Sequence, residues 1–65
     1  MAHLNGKIIQ VFQGSGFQVC TIEAGQGGPL PFRARSQRSG FILNFSAATA
    51  KLVHKGIAPN MKLIE

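Results

Sequence analysis

Alternation of apolar and polar side chains predicts two neighbouring β-strands in the first third of the chain. The segment 7–13 is rich in β-branched residues, and the segment 17–24 alternates regularly. Between them lies a Gly-Ser-Gly turn at 14–16, of the kind that closes a hairpin. In the second strand one face carries Phe17, Val19 and Thr21, and the other carries Gln18, Cys20 and Ile22.

A third strand is predicted over 32–36, where alternation resumes. Arg33 and Arg35 project from the same face of this strand. The preceding segment, 25–31, holds three glycines and two prolines, which rules out regular structure. We expect this glycine-proline segment to be a loop that orders over a bound ligand.

The segment 39–56 fits two interpretations. In the first, 41–45 is a strand and Ser46 is the N-cap of a helix over 47–55, which the following glycine ends. In the second, a single helix starts at Ser39, and its apolar stripe consists of Phe41, Phe45, Ala48 and Leu52. We favour strand and then helix, because Ser46 is the better placed cap.

With a last short strand at 60–65, the pattern predicts five strands and one helix. The expected fold is therefore mainly β with one short helix (α+β), in one domain over 1–65. We predict a small five-stranded barrel, SH3-like or similar to the oligonucleotide-binding (OB) barrel, because closure protects strand edges. The first strand has apolar side chains on both faces, so we expect a helix, barrel closure or a second subunit to cover them.

The balance of charges is the most informative feature of the composition. Seven Lys and Arg residues face two acids in 65 residues, which gives a net charge of +5. Such an excess attracts polyanions. Cys20 is the only cysteine, which excludes an internal disulfide and fits a reducing compartment. The sequence has no signal-peptide pattern and no apolar stretch long enough to cross a membrane, so we expect a cytoplasmic protein without a membrane partner.

Catalytic and metal-binding patterns are missing from the sequence. The acids are Glu23 and Glu65, which leaves no aspartate for a catalytic triad or a two-metal site. His3, Cys20 and His54 are scattered, without the paired spacing of a zinc site. We therefore expect no enzyme activity, no metal and no cofactor.

The sequence favours a nucleic-acid-binding protein that contacts backbone phosphates with little sequence specificity. Guanidinium groups bind phosphate with two parallel hydrogen bonds and stack on bases. We expect the ligand to be single-stranded DNA or RNA rather than a duplex, because bases of a single strand can stack on protein side chains. The expected phosphate-binding residues are Arg33, Arg35, Arg38, Lys7, Lys51 and Lys55. Of the five phenylalanines, Phe12 and Phe17 are the candidates for base stacking.

The alternative function is a protein-protein interaction module, such as a small regulator or inhibitor encoded by a mobile element. It would dock an apolar patch with a basic rim onto an acidic partner protein. A homodimer is compatible with both hypotheses. A continuous basic stripe would favour nucleic acid, whereas a basic rim around exposed Ile or Phe would favour a protein partner.

Overall fold

The fold is an open, five-stranded antiparallel sheet with one helix. A computed structural model describes residues 4–25 and 29–64. The elements are β1 (Ile8–Gln13), β2 (Gly16–Ala24), β3 (Phe32–Ser36), β4 (Ile42–Phe45), α1 (Ala47–Lys55) and β5 (Met61–Leu63). The strands lie side by side in the order β4-β3-β2-β1-β5, and every neighbouring pair is antiparallel.

The predicted hairpin of β1 and β2 is confirmed. Gln13 pairs with Gly16, so the turn consists of Gly14 and Ser15. Gly14 has a φ of +57°, a backbone conformation that a two-residue hairpin turn often requires and that side chains with a Cβ disfavour. This turn fixes the register, because every pair from Gln13–Gly16 back to Ile8–Thr21 follows from it.

One face of the sheet forms the hydrophobic core with α1. Side chains alternate between the two faces of a strand, so every second residue enters this core. Its buried apolar residues are Leu4, Ile9, Val11, Cys20, Ile22, Ala34, Phe45, Ala50, Val53 and Met61. Ala50 and Val53 come from α1, which places the helix against this face.

The caps of α1 explain why the chain forms a strand and then a helix after Gly40. The Ser46 hydroxyl accepts a hydrogen bond from the Thr49 N–H at 3.2 Å, as an N-cap does. At the other end, Gly56 has a φ of +76° and donates to the Val53 carbonyl, while the Ile57 N–H donates to the Leu52 carbonyl. These two bonds form a Schellman motif, so the helix is fixed at both ends.

The predicted barrel is not confirmed, because the sheet is not closed. β4 and β5 lie at opposite edges, and within the described ranges they do not pair with each other. The chain passes from one edge to the other through α1, which covers the apolar face without strand closure. β5 is also shorter than predicted, at three residues.

The glycine-proline loop is described only at its ends, and residues 26–28 lie outside the described residues. The Gly25 N–H donates to the Pro31 carbonyl at 2.7 Å. A Cβ on Gly25 would lie 2.5 Å from the Leu30 carbonyl oxygen. Only glycine therefore allows the chain to close this loop so tightly.

Candidate functional site

The face of the sheet opposite α1 is the candidate site, and we call it the open face. It carries the residues that alternate with the core positions. Its large apolar side chains keep much of their surface accessible: 53% for Phe17, 50% for Val19, and 42% for Phe12 and Ile42. Leu52 and Ile57, on and just after α1, are also exposed, but the open face groups its exposed apolar side chains on neighbouring strands, an arrangement typical of a binding site.

Phe12 and Phe17 form an aromatic pair on the open face. They lie opposite each other in the β1–β2 register, with ring centroids 5.7 Å apart and ring planes tilted by 50°. Phe32 and Phe45 form a second pair, stacked at 5.6 Å, but Phe45 is buried and Phe32 packs against the core. The two candidates for base stacking are thus exposed, whereas the other pair stabilises the fold.

Arg33 and Arg35 lie on the same open face, as the alternation of β3 predicts. The register places Glu23 opposite Arg33, and one carboxylate oxygen of Glu23 accepts hydrogen bonds from both arginines. The distances to Glu23 Oε1 are 2.6 Å from Arg33 Nε, 3.1 Å from Arg35 Nε and 2.9 Å from Arg35 Nη2. Two guanidinium groups share one carboxylate, so this cluster keeps one positive charge.

The same contacts change the acidity of Glu23. Hydrogen bonds from Arg35 and then Arg33, helped by the positive charge of both, hold the pKa of the Glu23 carboxyl below its usual value. The cluster is therefore ionised at neutral pH. Its effect is to hold the two arginine side chains over the open face.

Arg38 lies in the turn between β3 and β4, where it borders a cleft. The cleft has a volume of about 660 Å³ and lies between this turn and the first half of β2. The Arg38 side chain is exposed, and it forms no ion pair with another described residue. Lining residues are Ile8, Phe17, Gln18, Val19, Thr21, Ser36, Gln37, Arg38 and Ser39.

The predicted lysines do not join the arginines in one stripe. Lys51 and Lys55 are exposed on α1, which packs on the other face of the sheet. Lys7 is exposed just before β1. The six predicted cations are thus divided between the two sides of the molecule.

Sequence reasoning missed one cation of the open face, Lys62. It lies opposite Gln10 in the β1–β5 register and is exposed. The alternation of Met61, Lys62 and Leu63 within the last strand was the available signal. The core residue Met61 and the half-buried Leu63 place Lys62 on the opposite face.

The other chemically active side chains that the structure describes do not form a metal site. No group of three or more metal-ligating side chains occurs among residues 4–25 and 29–64. His3 lies outside the described residues, and His54 is exposed near the end of α1. Cys20 is buried in the core, and this burial raises the pKa of its thiol.

Over the same described ranges, no helix has the length and apolar character needed to span a bilayer.

Comparison of the chain with protein-family models, with curated proteins and with solved structures finds no match.

Proposed function

We propose that this protein binds single-stranded nucleic acid on the open face of its sheet. Phe12 and Phe17 stack on bases, and Arg33 and Arg35 bind backbone phosphates. The observation that carries the proposal is the placement of an exposed aromatic pair and a guanidinium pair on one face. Proteins that bind single strands combine these same two elements.

The dimensions of the open face suit a short segment of a single strand. Thr21, which is opposite Arg35, lies four positions along β2 from Phe17. At the usual rise this is about 13 Å along the strand. A few nucleotides therefore span the distance from the aromatic pair to the arginines. Lys62, on β5, lies on the side of the aromatic pair away from the arginines. In a duplex the bases are already stacked on one another, which favours a single strand as the ligand.

A salt-dependent titration with two double variants tests the proposal. We use fluorescence anisotropy of labelled single-stranded DNA, RNA and duplex DNA, because the protein has no Trp or Tyr. Arg33→Gln with Arg35→Gln removes two charges from the open face. Lys51→Gln with Lys55→Gln removes two charges from the helix side and serves as the matched control.

The two variants are expected to differ in the slope of log K against log salt concentration. Because Glu23 offsets one of the two cations, loss of both arginines removes one effective phosphate contact to a single strand, which flattens the slope by about 0.7 for the arginine variant. The lysine variant should keep nearly the wild-type slope. Equal flattening in both variants would contradict a site on the open face and would indicate attraction by net charge alone. No binding at low salt would exclude nucleic acid as the ligand.

A second candidate function is docking to an acidic protein partner. The observation that favours it is the basic rim of Lys62, Arg35 and Arg38 around exposed Phe and Ile side chains, the arrangement expected for a protein partner. Nucleic acid stays the first proposal because two of these side chains form an aromatic pair on the same face as two guanidinium groups. Val19 and Ile42 belong to this apolar surface, and aliphatic side chains do not stack on bases as aromatic ones do. Ile42→Thr, on the open face outside the lining of the cleft, should leave binding of nucleic acid nearly unchanged. A loss of nucleic-acid affinity as large as that from Phe12→Ala with Phe17→Ala would show that apolar contact in general, and not base stacking, governs binding to this face, which favours the protein partner.

A further inference from the structure

We propose that the cleft beside the aromatic pair receives one unstacked base of the bound strand and selects adenine. This inference rests on the proposed function, and it adds a base preference at one nucleotide. It differs from the sequence-based expectation of little specificity. The juxtaposition that carries it is an amide side chain, an apolar wall and a cation around one cleft.

The cleft exists because β2 is longer than β3. β3 pairs with β2 only from Cys20 to Ala24, so the first residues of β2 have no strand beside them on that side. The turn at 37–40 faces this segment instead and leaves about 660 Å³ between them. Small-molecule sites have volumes of roughly 300–1,000 Å³, so a nucleobase with its sugar fits.

The walls of the cleft suit a planar heterocycle. Ile8, Phe17 and Val19 supply apolar surface that contacts the faces of a base. On the opposite side, the Ser39 hydroxyl donates to Gln18 Oε1 at 2.6 Å, and Ser39 Oγ accepts from the Phe41 N–H at 3.2 Å. These bonds fix the position of the turn before any ligand enters, which lowers the entropic cost of binding.

Gln37 is the residue that would read the base. Its Nε2 donates to Thr21 Oγ1 at 3.3 Å, and its carboxamide oxygen accepts from no other described residue. An amide offers a donor and an acceptor side by side, and this pair matches N7 and the N6 amino group of adenine. Arg38, next in the chain, supplies a guanidinium for the adjoining phosphate.

The test compares oligo-dA, oligo-dC and oligo-dT of about ten nucleotides, the size that small single-strand binders cover. We expect wild-type protein to bind oligo-dA about fivefold or more tightly than the other two, as one selective base contact provides. Gln37→Ala should lower affinity for oligo-dA alone, so that the three affinities become equal. Gln10→Ala is the matched control, because Gln10 lies on the open face outside the cleft.

Each result separates this inference from the proposed function. Equal affinities of wild-type protein for the three oligonucleotides would overturn the adenine site and leave the proposed function intact. A preference for oligo-dA that persists in Gln37→Ala would overturn the role of Gln37. No binding of any oligonucleotide would overturn both proposals.

A second measurement uses adenosine monophosphate and NMR of the wild-type protein. We expect shifts of the backbone signals of 17–19 and 37–39, and smaller shifts with cytidine monophosphate. Equal shifts with both nucleotides would contradict selection of adenine by the cleft.

Discussion

Replacing Glu23 by glutamine should strengthen binding to single-stranded nucleic acid. In the structure, one oxygen of this carboxylate accepts hydrogen bonds from both Arg33 and Arg35. The two guanidinium groups are thus partly neutralised where the phosphates are expected to bind. Glutamine has nearly the same shape and removes the negative charge, which raises the net charge from +5 to +6.

The size of the effect follows from counterion release. If the carboxylate offsets one of the two cations, Glu23→Gln makes one more phosphate contact effective. The slope of log K against log salt concentration then steepens by about 0.7 for a single strand, which raises affinity about fivefold at roughly 0.1 M salt. Stability should fall slightly in the same variant, since surface ion pairs contribute little. Binding and stability therefore change in opposite directions.

Anisotropy titrations at several salt concentrations measure the affinity, and thermal unfolding measures the stability. Ala48→Lys is the matched control, because it also raises the net charge by one, at an exposed position of α1 on the other side of the molecule. We expect a clearly smaller gain in affinity from this variant. Unchanged affinity and slope in Glu23→Gln would refute the reasoning, and an equal gain in both variants would show that position on the open face is irrelevant.

Two further predictions concern the ionisation of Glu23 and the stability of the fold. Because the arginines lower its pKa, the Glu23 carboxyl should titrate below the usual range of glutamate when followed by carbon NMR. The stability that these ion pairs contribute is fully present above the pKa of the unfolded state. It is lost as the pH falls through the lower pKa of the folded state. A midpoint at or above the usual glutamate value would contradict the ion-pair geometry. Ser46→Ala removes the N-cap of α1 and should cost about 1 kcal/mol, a fall in Tm of about 4–8 °C by circular dichroism. Ser15→Ala in the exposed hairpin turn is the control, and an equal Tm for the two variants would argue against the cap.

Local patterns predicted most of the secondary structure. The bounds of β3 at 32–36 and of α1 at 47–55 coincide with the prediction, because alternation, the Ser46 cap and the following glycine are all short-range signals. Closure of the sheet could not be predicted in this way. It depends on whether β4 meets β5, a contact between distant segments that no local pattern determines.

The candidate site was predictable only within single strands. Alternation along β3 correctly placed Arg33 and Arg35 on one face. Their contact with Glu23 depends on the register between β2 and β3, which cannot be read from the sequence. The separation of Lys51 from the arginines depends on which face α1 covers. Lys62 was missed although Met61 and Leu63 flank it, because the apolar Ile64 follows Leu63 and interrupts the alternation of the predicted strand.

Because Cys20 is buried in the core, the reactivity of its thiol reports the opening of that core. The thiol has an exposure of 1% and a raised pKa, so a thiol reagent reaches it only when the core separates. Since the chain has a single cysteine, its rate of modification reports the population of the open state around this one position. A ligand that binds only the folded state makes opening rarer in proportion to its saturation. Slower modification of this one sulfur would therefore measure occupancy of the opposite face, without any dye on the protein or the ligand.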